Sequence, residues 1–159
     1  MSSSRSSATR SPRTRDGRSL PRTLALVIGA LFLLIGILGF VVTGFDNFAE
    51  HTDETLLGFE VNPLHNVVHI VVGLAGLLMS SSLSTARAFG WLLAIAYGGT
   101  FVLGLVVDDD PDQNFLSLNA ADNVLHLVSA GLGLVIALAP ARERDHAEVA
   151  PHPGTGARR

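Results

Sequence analysis

Hydrophobic residues occur in four long runs along the chain, and each run is free of Asp, Glu, Lys and Arg. The runs are residues 24–45, 61–86, 88–107 and 123–141. A helix needs about 20 apolar residues to cross a bilayer, so each run reaches or approaches the length of a span. The runs are apolar around most of the helix surface, whereas helices of a soluble bundle keep a polar stripe for water. The pattern predicts an all-α membrane protein with four transmembrane helices. The predicted spans are about residues 24–44, 63–82, 88–107 and 122–140.

The composition supports this interpretation and removes several classes of function. Hydrophobic residues make up 48% of the 159 residues, charged residues make up 16%, and the mean hydropathy is +0.41. The absence of Cys excludes disulfides, thiolate metal sites and Cys nucleophiles. The sequence also lacks a glycine-rich nucleotide loop and a Ser nucleophile motif, so an enzymatic function is not favoured. The first run is too long for the core of a signal peptide and is predicted to remain as a span.

Basic and acidic residues are segregated along the chain. All 11 basic residues are Arg, and they lie before the first span, between the second and third spans, and after the fourth. The other two loops are acidic. Because basic residues near span ends stay on the cytoplasmic side, both termini are predicted to be cytoplasmic. The use of Arg without Lys is typical of a GC-rich genome and favours a bacterial plasma membrane.

Two polar tails flank the predicted transmembrane domain of residues 23–141. Residues 1–22 are rich in Arg and Ser and residues 142–159 hold little to bury, so both are predicted to be disordered cytoplasmic tails. The N-terminal tail is interpreted as a topology signal, and contact with anionic lipid headgroups is the alternative. Nucleic-acid binding is not expected, because no aromatic residues interleave with the arginines. The lipid bilayer is the expected partner, and a homo-oligomer stays open.

Spans two and four begin with the same motif, Asn-x-x-(His/Asp)-Asn-x-x-His. Its residues are Asn62, His65, Asn66 and His69 in span two, and Asn119, Asp122, Asn123 and His126 in span four. A glycine-rich stretch follows each motif. Spans two and four cross the membrane in the same direction, so the repeat is parallel, with a pseudo-two-fold axis along the membrane normal. The sequence therefore predicts a four-helix bundle made of two parallel copies of a helical hairpin.

Helical geometry places the polar residues of each motif on the same face as small residues. Asn62 and Asn119 are predicted N-caps, and Pro63 suits the first helical position. Small residues let helices approach closely in lipid, so this face is predicted to point into the bundle. The polar cluster expected there, beneath the outer surface, comprises His65, Asn66, His69, Asp122, Asn123 and His126.

Residues 58–69 (GFEVNPLHNVVH) and 119–126 (NAADNVLH) resemble a family of four-span membrane proteins that is common in actinobacteria. The family is domain of unknown function 4383 (DUF4383), and the resemblance covers about residues 24–140. It implies a bacterial integral membrane protein. It brings no activity, cofactor or catalytic residue to carry over to this chain.

Three interpretations of the paired motif remain open. The preferred one is structural, with Asn66 paired to Asn123 and Asp122 accepting a hydrogen bond from His65, each bond contributing about 0.6 kcal/mol in a membrane. Another is a small transporter or channel subunit with Asp122 and the motif histidines on an ion or proton path, which would require a dimer.

The remaining interpretation is a cofactor site, in one of two forms. A metal ion such as zinc would be held by three imidazoles and one carboxylate. These four ligands are His65, His69, Asp122 and His126. Alternatively, His69 and His126 would ligate a haem b from both sides, with neighbouring glycines making room for the ring.

Overall fold

The computed structural model describes residues 19–107, 110 and 112–140. Its elements are α1 (Leu20–Thr43), β1 (Thr55–Leu56), β2 (Phe59–Glu60), α2 (Pro63–Met79), α3 (Leu83–Val107) and α4 (Ala120–Leu138). The prediction of a helical membrane protein is confirmed for three helices, since α1, α3 and α4 are long and apolar enough to cross a bilayer. The helix α2 is shorter, with 17 residues. Of the predicted tails, residues 1–18 and 142–159 lie outside the described residues, whereas residues 20–22, expected in the N-terminal tail, belong to the first turn of α1.

The helices associate as two pairs, which we call the first pair (α1 and α2) and the second pair (α3 and α4). Glycines allow the two helix backbones of each pair to approach closely. A Cβ atom added at Gly76 would lie 2.7 Å from the Cα of Gly29, and one added at Gly133 would lie 2.6 Å from the backbone nitrogen of Ala94. These distances are shorter than any normal Cβ contact, so the backbones touch where a side chain has no room. Small residues at helix interfaces serve this purpose in lipid.

Aromatic and aliphatic side chains fill the space between the two pairs. Phe32 of α1 and Tyr97 of α3 are buried, and their ring centroids lie 5.0 Å apart. The outward faces of the helices are apolar and exposed instead, with Val41 79% and Ile95 71% accessible. A water-soluble monomer rarely exposes so much continuous apolar surface. The distribution supports contact with a lipid bilayer.

Hydrogen bonds fix both ends of α2 and α4. The side-chain oxygen of Asn62 accepts a bond of 2.9 Å from the backbone N–H of His65, and that of Asn119 accepts one of 3.0 Å from Asp122. Both predicted N-caps are therefore confirmed. At the opposite ends, Arg22 donates to the carbonyl of Ser80 and Arg87 to that of Ala139. These two bonds are 3.1 Å and 2.9 Å long. Each guanidinium thus neutralises the negative end of a helix dipole.

A short antiparallel ribbon of β1 and β2 packs against α1 and α4. Its turn residues Leu57 and Gly58 both have positive φ, 57° and 90°. This combination is typical of a type I′ turn, which matches the twist of the two strands. The ribbon was not predicted from the sequence, because two-residue strands leave no alternating pattern and Leu is an unusual residue at positive φ.

Candidate metal site

Two imidazoles and a carboxylate meet where α2 and α4 begin. His65, Asp122 and His126 are 3%, 1% and 2% exposed. One potential ligand atom of each lies within 4.8 Å of the others. α2 supplies His65, and α4 supplies Asp122 and His126 one helical turn apart, on the same face. We call these residues the three-ligand group.

The loop before α4 orients the His65 ring. Its Nδ1 lies 3.0 Å from the carbonyl oxygen of Leu116, to which it donates as a neutral imidazole. The Nε2 lone pair is then free to bind a cation. Histidine ligands of metals usually donate their other ring N–H in this way, which fixes both the tautomer and the ring orientation.

Several buried polar atoms around the group have no hydrogen-bond partner. They are Oδ2 of Asp122, Nδ1 of His126, Nδ1 of His69 and the hydroxyl of Tyr97. Most buried polar groups in proteins are paired, and a buried carboxylate without a counter-charge is costly. The arginines in the described part of the chain, Arg22 and Arg87, bond to carbonyls at the other ends of α2 and α4. The Asp122 carboxylate therefore has no arginine beside it in that part of the chain.

His69 lies next to the three-ligand group but outside it. Its ring stands edge-on to His65, with centroids 4.5 Å apart, and edge-on to Phe32 at 5.1 Å. It lines a cavity of about 40 Å³ that Asp122 also lines. Of the four metal ligands expected from the sequence, the structure brings potential ligand atoms of three to within 4.8 Å of one another and leaves His69 beside them.

Aromatic rings occupy the space that a haem between His69 and His126 would need. Phe32 packs on His69, Tyr97 packs on His126 with centroids 5.4 Å apart, and Phe32 and Tyr97 touch each other. The cavity beside His69 is far smaller than a porphyrin. The residues present therefore do not fit a haem.

The second Asn of each motif packs within its own helix pair. The predicted hydrogen bond between Asn66 and Asn123 is not formed, so that prediction was wrong. A Cβ at Gly39 would overlap the amide of Asn66, and one at Gly104 would overlap that of Asn123. The Asn66 amide nitrogen donates to the hydroxyl of Thr43 over 3.0 Å, and the side-chain oxygens of both asparagines have no partner. Each Asn packs on a glycine of its own pair, which keeps the two amides apart.

The expected hydrogen bond from His65 to Asp122 is also wrong. The Nδ1 of His65 bonds to Leu116 instead, and Oδ2 of Asp122 has no partner. The remaining motif residues, Asn62 and Asn119, cap their helices. Asn62 also donates to the carbonyls of Glu50 and Phe115, at 2.9 Å and 2.8 Å, and so joins the segment between α1 and α2 to the segment between α3 and α4.

Two contributors to the site were not predicted from the sequence. Tyr97 is the only Tyr of the chain and lies inside an apolar run, which is a signal that could have been used. The carbonyl of Leu116 leaves no such signal, because any residue supplies a backbone oxygen and only the fold brings this one to His65.

Three helices are long and apolar enough to span a bilayer, and a polar group is buried near one end of the bundle, which is compatible with an integral membrane protein. The model of a family described as Domain of unknown function (DUF4383) matches residues 22–139. The chain belongs to this family, as its motifs predicted. No curated protein and no solved structure matches the chain.

Proposed function

We propose that this chain is a multi-pass protein of the plasma membrane with both termini in the cytoplasm. The arginines before and at the start of α1, and Arg87 near the start of α3, set against acidic loops at the other side, support this orientation. α2 is about 25 Å long at 1.5 Å per residue, slightly less than the hydrocarbon core. Its length still falls within the range of about 17–25 residues seen for spans, so it is proposed as the remaining span.

The absence of Cys allows a direct test of this orientation. Leu57 at the ribbon turn and Ser81 between α2 and α3 are both exposed. We expect a Leu57→Cys variant to react with a membrane-impermeant maleimide in intact cells. A Ser81→Cys variant should react only after the membrane is opened. The reverse labelling pattern would contradict the orientation.

The two helix pairs are proposed to be copies of one hairpin arranged in parallel in a four-helix bundle. Equivalent contacts support this relationship. Gly39 touches Asn66 in the first pair as Gly104 touches Asn123 in the second, and Gly76 and Gly133 occupy matching positions against α1 and α3. The N-caps Asn62 and Asn119 are separated by the same number of residues as Asn66 and Asn123.

The function that the geometry supports best is binding of a divalent transition-metal ion, zinc in the first place, by His65, Asp122 and His126. One observation carries this proposal: three buried ligand side chains lie within 4.8 Å of one another while Asp122 and His126 keep atoms without partners. Two imidazoles and a carboxylate are a ligand set that zinc favours. A divalent cation would also supply the counter-charge that the buried carboxylate lacks.

The separation of the ligand atoms is compatible with closure on an ion. Zinc bonds of about 2.0–2.1 Å place tetrahedral ligand atoms about 3.4 Å apart. Small rotations of the side chains therefore suffice to reach coordination distance from the separations in the structure. The position of His126, seven residues after the N-cap Asn119, puts the ion about 10 Å along the helix from its outer end.

The other interpretations of the motif have less support. A purely structural role relied on cross-bundle bonds that the described residues do not form, although the asparagines do act structurally as caps and glycine contacts. A transport role would need a polar path, and the cavity at the group is lined by apolar side chains apart from His69 and Asp122.

Metal analysis of the purified chain tests the proposal. Protein made without a His tag is loaded with zinc, desalted and measured by mass spectrometry of the metal. We expect about one ion per chain in the wild type, as for a single tetrahedral site. His126→Ala and Asp122→Asn should lose the ion, and His51→Ala, which removes a histidine of the outer loop, should keep it. A wild type without metal, or loss in His51→Ala alone, would overturn the proposal.

A further inference from the structure

The segment before α4 folds around the carbonyl that bonds to His65. That carbonyl belongs to Leu116 and accepts from Nδ1 of His65 over 3.0 Å. The buried side chain of Asn114 accepts from the backbone N–H of Leu118 over 2.7 Å and donates to the Leu118 carbonyl over 2.8 Å. The backbone N–H of Ser117 also donates to the carbonyl of Asn114, over 3.0 Å. The residues on both sides of Leu116 are therefore held by hydrogen bonds within the segment.

Ser117 fastens this segment to the segment between α1 and α2. Its hydroxyl accepts from the backbone N–H of Thr52 over 2.7 Å and donates to the Thr52 carbonyl over 3.0 Å. Contacts of the same hydroxyl with Nδ1 of His51, at 3.4 Å, and with the hydroxyl of Thr52, at 3.5 Å, are longer than usual hydrogen bonds. The Ser117 side chain thus joins the two segments beside the carbonyl that orients His65.

The backbone at Ser117 is unusual for a residue with a side chain. Its φ is 53°, in the left-handed region where a Cβ atom crowds the backbone. Glycine adopts this conformation without strain but has no hydroxyl. Backbone strain of this kind persists where the surrounding structure holds a residue in place, and it is concentrated at functional sites. Ser117 is also completely buried, so its hydroxyl serves partners within the fold.

We infer that Ser117 is a positioning residue of the proposed metal site, which fixes the Leu116 carbonyl so that His65 carries its proton on Nδ1. A neutral imidazole has a proton on one nitrogen and a lone pair on the other, so Nε2 becomes the nitrogen that can bind a cation. As a statement about a metal site, the inference rests on the proposed function. The position of the proton is a property of the metal-free protein.

The same reasoning assigns a role to the segment between α1 and α2. Thr52 contributes only its backbone N–H and carbonyl to the contact with Ser117. Through this contact, the connection between the helices of the first pair acts on a ring of α2 by way of the segment before α4. Loss of a partner that orients a histidine ligand usually lowers metal affinity by about 10–100-fold.

Nitrogen NMR of the full-length, metal-free protein in detergent reads the position of the proton directly. A ring nitrogen that carries a proton and one that carries a lone pair resonate far apart. Histidine is labelled with ¹⁵N, and the His65 signals are those that His65→Ala lacks. We expect a protonated Nδ1 and an unprotonated Nε2 in the wild type. In Ser117→Gly the two signals should move toward each other, because the proton is then shared between both nitrogens.

Two variants of Ser117 separate the hydroxyl from the backbone. Ser117→Gly removes the hydroxyl and adopts positive φ without strain, so it should fold. Ser117→Ala removes the same hydroxyl and keeps the Cβ atom, so it should melt at a lower temperature than Ser117→Gly. Both variants should show the same change in the His65 signals. Circular dichroism checks that each variant is folded.

Thr52→Val is the matched control. It removes the bond of 2.9 Å from the Thr52 hydroxyl to the carbonyl of Val61 and keeps both backbone bonds to Ser117. Its His65 signals should equal those of the wild type. Zinc affinity, measured by competition with a chelator, should fall about 10–100-fold in Ser117→Gly and stay close to the wild-type value in Thr52→Val.

The outcomes distinguish the inference from the proposed function. A wild type with the proton of His65 on Nε2, or unaltered His65 signals in Ser117→Gly, would overturn the inference and leave metal binding to its own test. An equal change in Thr52→Val would also overturn it, because the loss of any nearby bond would then suffice. A changed proton position with unchanged zinc affinity would contradict the role of Ser117 in the metal site. Failure of the wild type to bind zinc would remove the proposed function itself.

Discussion

The first and second helix pairs share their packing and differ in their chemistry. Each pair begins its second helix with an Asn cap, sets an Asn against a glycine, and brings two backbones together at a glycine deeper in the helix. The differences lie where the two helix pairs meet. α2 carries His65 where α4 carries Asp122, and α1 carries Phe32 where α3 carries Tyr97.

This comparison separates two roles within one motif. The shared Asn and Gly residues make contacts inside a pair, and the described contacts account for them without a ligand. The residues that differ meet across the pairs, with the Phe32 and Tyr97 rings 5.0 Å apart and ligand atoms of His65 and Asp122 within 4.8 Å of each other. Asp122 and Tyr97 keep polar atoms without partners. The second pair alone introduces a carboxylate and a phenol there, so the asymmetry produces a mixed ligand set from two similar halves.

The largest expected effect comes from breaking the shared packing. Gly133→Val would push a side chain into the backbone of α3, where even a Cβ would lie 2.6 Å from Ala94. Overpacking of this kind costs about 1–3 kcal/mol and sometimes more, because a backbone cannot rotate away as a side chain can. The melting temperature in detergent, followed by circular dichroism, should fall strongly.

The matched control for that variant is Gly131→Val. A Cβ at Gly131 meets nothing within 4 Å, so this variant should melt close to the wild type. Equal losses in both variants would mean that the glycine contact does not hold the second pair together.

Exchanging His65 and Asp122 between the two pairs tests whether the two positions are equivalent. His65→Asp would place two carboxylates beside one imidazole and should weaken zinc binding by at least about 10–100-fold, the loss usual for even an indirect partner of a metal. The double variant His65→Asp with Asp122→His restores two imidazoles and one carboxylate. It should recover part of the affinity, measured by competition with a zinc chelator. A double variant weaker than either single variant would contradict the proposed equivalence of the two positions.

The two caps should differ in their effect on stability. Loss of a cap costs about 0.5–2 kcal/mol. Asn62→Ala should cost more than Asn119→Ala, because Asn62 also bonds to Glu50 and Phe115, whereas Asn119 has one further bond of 3.2 Å to Gly58. Asn62→Asp keeps the capping oxygen and loses the donors, so its melting temperature should fall between those of the wild type and Asn62→Ala. Equal costs for the two Ala variants would show that the loop bonds add nothing.

The smallest effect on the melting temperature is expected from replacing Tyr97 by Phe, the residue that α1 carries at the equivalent position 32. Tyr97→Phe removes a buried hydroxyl that has no partner. Removal of an unsatisfied polar group is neutral or stabilising, here by up to about 1 kcal/mol in the metal-free protein. A clear drop in the metal-free melting temperature would indicate that the hydroxyl has a partner that the described contacts lack.

The helices could be predicted from the sequence because apolar runs and Asn caps are local signals. α2 begins at Pro63, directly after the cap that the motif indicated, but it ends at Met79 and so is shorter than the expected span. The ribbon at residues 55–60 could not be predicted, because it depends on a turn with Leu57 at positive φ and on contacts with α1 and α4.

The residue types of the site could be predicted from the sequence, but which side chains approach one another could not. Helical spacing placed His65, His69 and His126 on interior faces, and all three are buried. Which of them would approach Asp122 depended on packing between helices, where Phe32 restrains His69 and the Leu116 carbonyl orients His65. Those restraints are distant in sequence and follow no motif, so the interhelical hydrogen bonds expected from the motif alone were wrong.

X-ray absorption at the zinc edge of the loaded, untagged protein tests the central claim most directly. We predict a first shell of nitrogen and oxygen atoms at about 2.0–2.1 Å, with outer-shell scattering from two imidazoles that is lost in His126→Ala. A first shell of oxygen alone, or a spectrum that His126→Ala leaves unchanged, would contradict a zinc site built from His65, Asp122 and His126.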